Sequence, residues 1–172
     1  MNKKNKTKFI YWSISIIIVV AIVYTVINNQ GVPINIERPE ILGRDHVADL
    51  SNYQYSSNPP TSGNHFSNSA DSGFYDEQVP DGELVHSLEH GYVIINYDCS
   101  KFSGDCEELK SEIKYLVNDD SWKVIGNPRP ENDYLISVTS WGKLMHLDEF
   151  NRDKIKTFIN KYRNQGPEKT EH

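Results

Sequence analysis

Residues 83–97 read Glu-Leu-Val-His-Ser-Leu-Glu-His-Gly-Tyr-Val-Ile-Ile-Asn-Tyr. The second part, Tyr92–Tyr97, is a β-branched and aromatic run bounded by glycine and aspartate. Such a run is typical of a buried strand, and we expect it near the centre of a sheet. The first part carries His86 and His90, four positions apart, which share a face whether the backbone is a helix or a strand.

The sequence after this strand predicts an α+β fold, a small mixed sheet with helices packed on it. The predicted elements follow the order β-α-β-β-α. They are the strand at 92–97, a helix at about 106–118, a short strand at 122–125 stopped by Gly126-Asn127-Pro128, a strand at 134–141, and a closing helix that includes Phe150 to Tyr162 and ends near Gly166. A long irregular segment, residues 43–81, precedes them and carries histidines. Its aromatic residues favour a segment that folds onto the domain and builds a site.

Residues 9–27 form an uncharged, mostly apolar stretch after four lysines at positions 3, 4, 6 and 8. A helix of this length, at about 1.5 Å per residue, crosses a hydrocarbon core of roughly 30 Å. A cleaved signal peptide is the alternative, but it has a shorter apolar core and a small-residue cleavage site, which residues 27–32 lack. We predict an N-terminal transmembrane signal anchor in contact with membrane lipid. The lysines indicate a cytoplasmic N-terminus and an external C-terminal domain in a single-pass cell-membrane protein.

These features predict five regions. They are a cytoplasmic basic tail (1–8), the transmembrane anchor (9–27), a polar, proline-containing tether (28–42), an extracytoplasmic α+β domain (43–168) and a short tail (169–172). The net charge of the chain is −6, and without the four tail lysines the remainder carries −10. An acidic exterior argues against nucleic acid as a partner. The sequence indicates no particular protein partner.

Cys99 and Cys106 are the only cysteines, and both lie beyond the predicted anchor, where thiols oxidise. We therefore predict a disulfide between them, which would contribute about 2–3 kcal/mol in the chain-entropy model. Metal ligation and disulfide exchange are the alternatives, although the spacing is not Cys-x-x-Cys.

Four histidines lie in the irregular segment or at its junction with the first strand: His46, His65, His86 and His90. His65 follows a Pro-Pro-Thr-Ser-Gly-Asn turn, which would present its side chain at low entropic cost. Because imidazole is the commonest ligand of zinc and copper, this cluster predicts a transition-metal site, with copper or zinc as the ion. His65, His86 and His90 are the principal predicted ligands, and His46 is a further candidate.

His86 to His90 also matches His-x-x-Glu-His, the pattern of metalloproteases in which two helical histidines hold zinc and the glutamate acts as general base. Glu89 is the catalytic candidate of this reading, and an orienting role beside a histidine is its alternative. Met145-His146 offers a thioether and an imidazole, which would favour Cu(I). The competing interpretation packs Met145 in the core and lets His146 begin a helix.

Several of these motifs together resemble a bacterial family catalogued as a domain of unknown function (number 3105), whose members are typically single-span membrane or secreted proteins. The matching stretches are His46-Val47, Pro59 to His65, Gly73-Phe74-Tyr75, Leu84 to Gly91, Trp141-Gly142 and Gly166-Pro167-Glu168. This chain has Asn64 where proline is usual. The resemblance implies a histidine-bearing extracytoplasmic domain and brings no activity with it.

Three classes of function therefore stand open. They are a metal-binding or metal-handling protein, a metal-dependent hydrolase at the cell envelope, and a non-catalytic scaffold or interaction domain. An open coordination position beside Glu89 would favour the hydrolase. A closed cage of four ligands would favour a structural or storage role, and histidines that face apart would favour the scaffold.

Overall fold

The structure, a computed structural model, describes residues 12, 14–24 and 31–170. The chain divides into two compact units, Met1–Val32 and Pro33–His172. Residues 14–24 are helical, and no helix among the described residues is both long and apolar enough to cross a membrane. The predicted basic tail (1–8) lies outside the described residues, as does part of the predicted anchor (9–27).

The second unit is built on a five-stranded mixed sheet, so the predicted α+β class is confirmed. In chain order its elements are β1 (Gly73–Phe74), α1 (Asp81–Glu89), β2 (Val93–Tyr97), α2 (Cys106–Asp119), β3 (Val124–Pro128), β4 (Ile136–Ser140), β5 (Lys143–Leu147) and α3 (Arg152–Tyr162). The strand order is β1-β3-β2-β4-β5. Strands β1, β3 and β2 run parallel, whereas β4 pairs antiparallel with β2 and β5.

The central strand β2 is buried on both faces and separates two apolar clusters. Val93, Ile95 and Tyr97 face a large core shared with α2 and α3. Ile94 faces a smaller cluster that includes Leu84 and Leu88 of α1. This alternation is the period of two that a strand requires. Helix α1 therefore lies on the sheet face opposite α2 and α3.

The predicted β-α-β-β-α order is incomplete, because α1, the two-residue β1 and a separate strand β5 are missing from it. The strand predicted to end at Ile125 continues through Pro128, since Gly126 and Asn127 pair with β2 in parallel register. The strand predicted over 134–141 is the first arm of a hairpin. Gly142, with φ of +63°, turns the chain back into β5, so His146 lies in a strand and does not begin a helix.

Two further predictions fall on described residues. Cys99 and Cys106 form the predicted disulfide, which joins the turn after β2 to the first residue of α2. Part of the predicted tether belongs to the compact unit, because Glu37 and Leu144 exchange two backbone hydrogen bonds of 2.8 and 3.1 Å. The chain from Pro33 onward is thus part of the folded domain.

Helix α1 ends in a Schellman motif that fixes the direction of the chain into β2. The N–H of Gly91 donates to Leu88 O at 2.9 Å, and the N–H of Tyr92 donates to Ser87 O at 3.0 Å. Gly91 has φ of +85°, and a Cβ placed on it would lie 2.7 Å from the Cα of Asn164. Only glycine satisfies both the conformation and the close backbone contact.

We therefore expect Gly91→Ala to destabilise the domain more than Gly142→Ala. Gly142 also has a positive φ, but its nearest neighbour is the flexible side chain of Ile41. The control variant, Gly142→Ala, should lower the free energy of unfolding by about 1–2 kcal/mol, because alanine is strained in the left-handed backbone conformation. Gly91→Ala should cost at least about 1 kcal/mol more, because backbone atoms must move. Denaturant unfolding of the full chain measures both values, and equal losses would contradict the contact.

Candidate metal centre

Three histidines and one glutamate converge in the space between α1 and the irregular segment. Their potential ligand atoms all lie within 4.8 Å of one another, and the residues are His46, His65, His86 and Glu89. The ring centroids form a nearly equilateral triangle: His46 to His65 is 4.9 Å, His46 to His86 is 4.8 Å, and His65 to His86 is 5.0 Å. We call these four residues the primary cluster.

The two halves of the primary cluster come from different parts of the fold. His86 and Glu89, three residues apart on α1, share one face of that helix. His46 and His65 face each other in an isolated parallel bridge of the irregular segment. Backbone hydrogen bonds from Val47 N to His65 O (2.9 Å) and from His65 N to Asp45 O (3.1 Å) hold this bridge.

Hydrogen bonds to the backbone define the tautomers of two histidines. His65 Nδ1 lies 2.9 Å from Gly63 O, and His86 Nδ1 lies 2.8 Å from Phe66 O. A carbonyl oxygen only accepts hydrogen bonds, so each Nδ1 carries a proton that it donates. In the neutral ring the Nε2 atom then keeps its lone pair, which is the form that ligates a metal.

The lone pair of His65 faces a carboxylate. His65 Nε2 lies 3.1 Å from Glu89 Oε2, yet it is buried without a hydrogen-bond partner in the described part of the chain. The exposed fraction is 0% for His65 and 3% for Glu89, so water does not separate them. Two acceptors at this distance repel each other unless a cation lies between them. A proton or a metal ion satisfies this requirement.

The other oxygen of Glu89 faces a cation. Arg44 Nη1 donates to Glu89 Oε1 at 3.3 Å, and the Arg44 side chain is 58% exposed. The guanidinium compensates part of the cost of burying the carboxylate. It also directs Oε2 toward the histidines.

Burial lowers the pKa of His86 below its ordinary value, and this is the largest influence on it. The hydrogen bond to Phe66 O opposes the shift, whereas the neighbouring His90, His65 and His46 add to it. A lowered pKa keeps the imidazole neutral near pH 7, in the form that binds a metal.

A family model described as "Protein of unknown function (DUF3105)" matches residues 46–172. The chain belongs to this family. The searches of curated proteins and of solved structures found no match. The matched range begins at His46, so it contains the three histidines and the glutamate of the primary cluster.

Within this DUF3105 domain, the structure separates His90 from the trio predicted with it. The His90 ring lies 4.6 Å from the His86 ring, but His90 Nε2 faces Glu168 Oε2 at 3.3 Å. Glu89 is the fourth member of the primary cluster, and His90, which was predicted as a ligand, is not among its members. His46, a further predicted candidate, belongs to the primary cluster together with His65 and His86.

The Met145-His146 pair belongs neither to the primary cluster nor to the pair of His90 and Glu168. Met145 is buried in the large core, as one predicted alternative held. His146 stacks on Tyr134 with a centroid distance of 4.1 Å, and its Nδ1 lies 2.8 Å from Ser137 Oγ. The two side chains point to opposite faces of β5, so they cannot meet at one copper ion.

Glu89 was predicted beside the histidines as a general base or an orienting group, whereas Arg44 beside Glu89 and Glu168 beside His90 were not predicted. The spacing of His86 and Glu89 was a usable signal, because residues three apart share a helical face. Arg44 and Glu168 are distant in sequence from the motif, so only the folded chain brings them to it.

The apo domain should lose stability as the pH falls. The unfolded chain protonates His86 near its ordinary pKa of about 6.5, whereas the folded chain does so only at lower pH. Between these values the unfolded state binds more protons, so the free energy of unfolding decreases with falling pH.

Denaturant unfolding between pH 7.5 and 5, with a chelator present, measures this loss. His86→Gln should flatten the profile relative to the wild type. His146→Gln is the control, because burial lowers the pKa of His146 too. The contribution of His86 to the pH dependence should therefore remain in this variant. An unchanged slope in His86→Gln would contradict the assignment.

Proposed function

We propose that this DUF3105 protein binds a transition-metal ion through His46, His65, His86 and Glu89. The observation that supports this most directly is the buried, unpartnered Nε2 of His65 opposite Glu89 Oε2. A divalent cation between them replaces a repulsion between acceptors with two ligand bonds. The backbone-bonded Nδ1 atoms of His65 and His86 prepare both rings for this role.

The donor set favours zinc, with Cu(II) as the second choice. Three imidazoles and one carboxylate provide nitrogen and oxygen ligands of the kind that both ions accept. The primary cluster contains no sulfur ligand, and both cysteines are in the disulfide. This argues against Cu(I), which prefers thiolate or thioether. Zinc ligands lie about 2.0–2.1 Å from the ion, so the side chains need only small movements to close on it.

Glu89 fits the role of a ligand better than that of a general base. Its Oε1 is held by Arg44 and its Oε2 faces His65, so both oxygens are already directed at partners. A general base needs an oxygen within reach of a water molecule. His46 is the exposed member of the primary cluster, so exchange of the ion or of an added ligand would take place on its side.

We propose the cell envelope as the location of this metal site. The support is the run of four lysines before the apolar stretch 9–27, which suits a signal anchor with a cytoplasmic N-terminus. The disulfide between Cys99 and Cys106 suits an oxidising compartment outside the cytoplasm.

Elemental analysis of the full chain, purified in mild detergent without a histidine tag, tests the metal proposal. After zinc loading and removal of excess ion, the wild type should retain at least one equivalent. The double variant His65→Ala/His86→Ala should retain about one equivalent less than the wild type. His146→Gln is the matched control for loss of an imidazole, and it should retain the wild-type amount.

Circular dichroism and the oxidised state of the disulfide establish that each variant is folded. If the double variant misfolds, Glu89→Gln provides the second test, because it removes the charge with little change of shape. A folded wild type that takes up neither zinc nor copper would overturn the proposal. The histidines would then be structural or would contact a partner.

A further inference from the structure

A second group of potential ligands lies beside the primary cluster and shares one residue with it. Glu89, His90 and Glu168 bring ligand atoms within 4.8 Å of one another. His90 Nε2 and Glu168 Oε2 are 3.3 Å apart, and the His90 ring lies 4.6 Å from that of His86. Glu89 belongs to both groups, so its carboxylate is shared by the three imidazoles of the primary cluster and the imidazole of His90.

The C-terminal strap, residues 163–170, is what brings Glu168 to this place. Asn164 N donates to Gly91 O at 2.7 Å, and Glu168 N donates to Glu89 O at 3.1 Å. Between them, Gly166 lies so close to α1 that a Cβ would be 2.1 Å from Glu89 O. The strap therefore touches the backbone of the residues that carry the ligands.

A buried lysine fixes the same strap from the other side. Lys123 is fully buried, and its Nζ donates to Asn164 Oδ1 at 3.0 Å and to Thr170 O at 2.6 Å. It also donates to His90 O at 2.9 Å. One ammonium group thus connects both ends of the strap to the residue after Glu89. The backbone of Glu168 is therefore held beside His90 by the fold on both sides, and its side chain, 54% exposed, reaches His90 from there.

We propose that Glu89, His90 and Glu168 bind a second divalent cation, with Glu89 bridging it to the ion of the primary cluster. The bridge between two ions rests on the proposed function, whereas binding of an ion by Glu89, His90 and Glu168 does not. Two carboxylates and one imidazole form a donor set for zinc or another borderline divalent ion. Arg44, the one cation in contact with Glu89 among the described residues, has a side chain that is 58% exposed, and it would have to release Oε1 for the bridge to form. Two cations joined by a carboxylate are the arrangement of two-metal centres.

Calorimetric titration of the metal-free full chain with zinc tests the number of ions. The wild type should bind two equivalents, the first more tightly because the primary cluster offers three imidazoles. Glu168→Gln should keep the first step and weaken the second by at least about tenfold. Glu108→Gln is the matched control, because it removes an exposed carboxylate from α2 without touching either group. His90→Gln should reproduce the effect of Glu168→Gln.

Cu(II) electron paramagnetic resonance provides a readout that a merely structural role would not change. The first equivalent of Cu(II) should give the signal of an isolated ion. The second equivalent should broaden or diminish this signal, because the two copper ions couple magnetically across Glu89. In Glu168→Gln the isolated signal should persist at two equivalents.

The two proposals fail in different ways. One binding step in both the wild type and Glu168→Gln, with equal affinity, would overturn the second site and leave the primary site standing. His90 and Glu168 would then form an ion pair that secures the strap. No binding step at all would overturn the primary site as well.

Discussion

The contact between His65 Nε2 and Glu89 Oε2 is the constraint on which the site depends. Both groups are buried, and neither can turn to water because each is held elsewhere: His65 through Nδ1 to Gly63 O, and Glu89 through Oε1 to Arg44. A buried acceptor without a partner costs about 1–3 kcal/mol, and more when it is charged. The fold therefore maintains a location that a cation between the two groups would stabilise.

The irregular segment is the part of the fold that makes this arrangement possible. Carbonyl groups within helices and strands are already engaged in hydrogen bonds, so they are not free to accept from a side chain. Gly63 O and Phe66 O lie outside regular structure and can accept from His65 and His86. Ser87 ties the segment to α1, because its Oγ donates to Ala70 O and accepts from Ala70 N. The rings of His65 and His86 are thus oriented by the irregular segment, which has no sequence periodicity from which its conformation could be predicted.

The sequence predictions were likewise most successful for the regular elements and least successful for contacts between distant parts of the chain. The strand at Tyr92–Tyr97 and the helices near residues 106 and 152 were predicted because their apolar spacing is local. The extension of β3 was missed, since it depends on pairing with β2, which is distant in sequence. Strand β5 was missed although its partner β4 adjoins it in sequence, because the turn at Gly142 was not recognised as a hairpin turn. The histidines could be recognised as a group, and the spacing of His86 and Glu89 indicated a shared helical face, but the pairing of His90 with Glu168 could not be predicted. It depends on the strap, whose contact with Glu89 O is made by Gly166 and Glu168.

A metal ion in the primary cluster would join two parts of the chain that otherwise meet through hydrogen bonds and packing. His86 and Glu89 belong to a helix that packs on the sheet, whereas His46 and His65 belong to the segment that covers it. Ligand binding of this kind adds its free energy to folding, so the segment would be more firmly attached in the loaded protein. A purely structural ion, however, is enclosed by its ligands. The exposure of His46 leaves one side of the cluster accessible, which favours a site that exchanges its ion or presents it to another molecule.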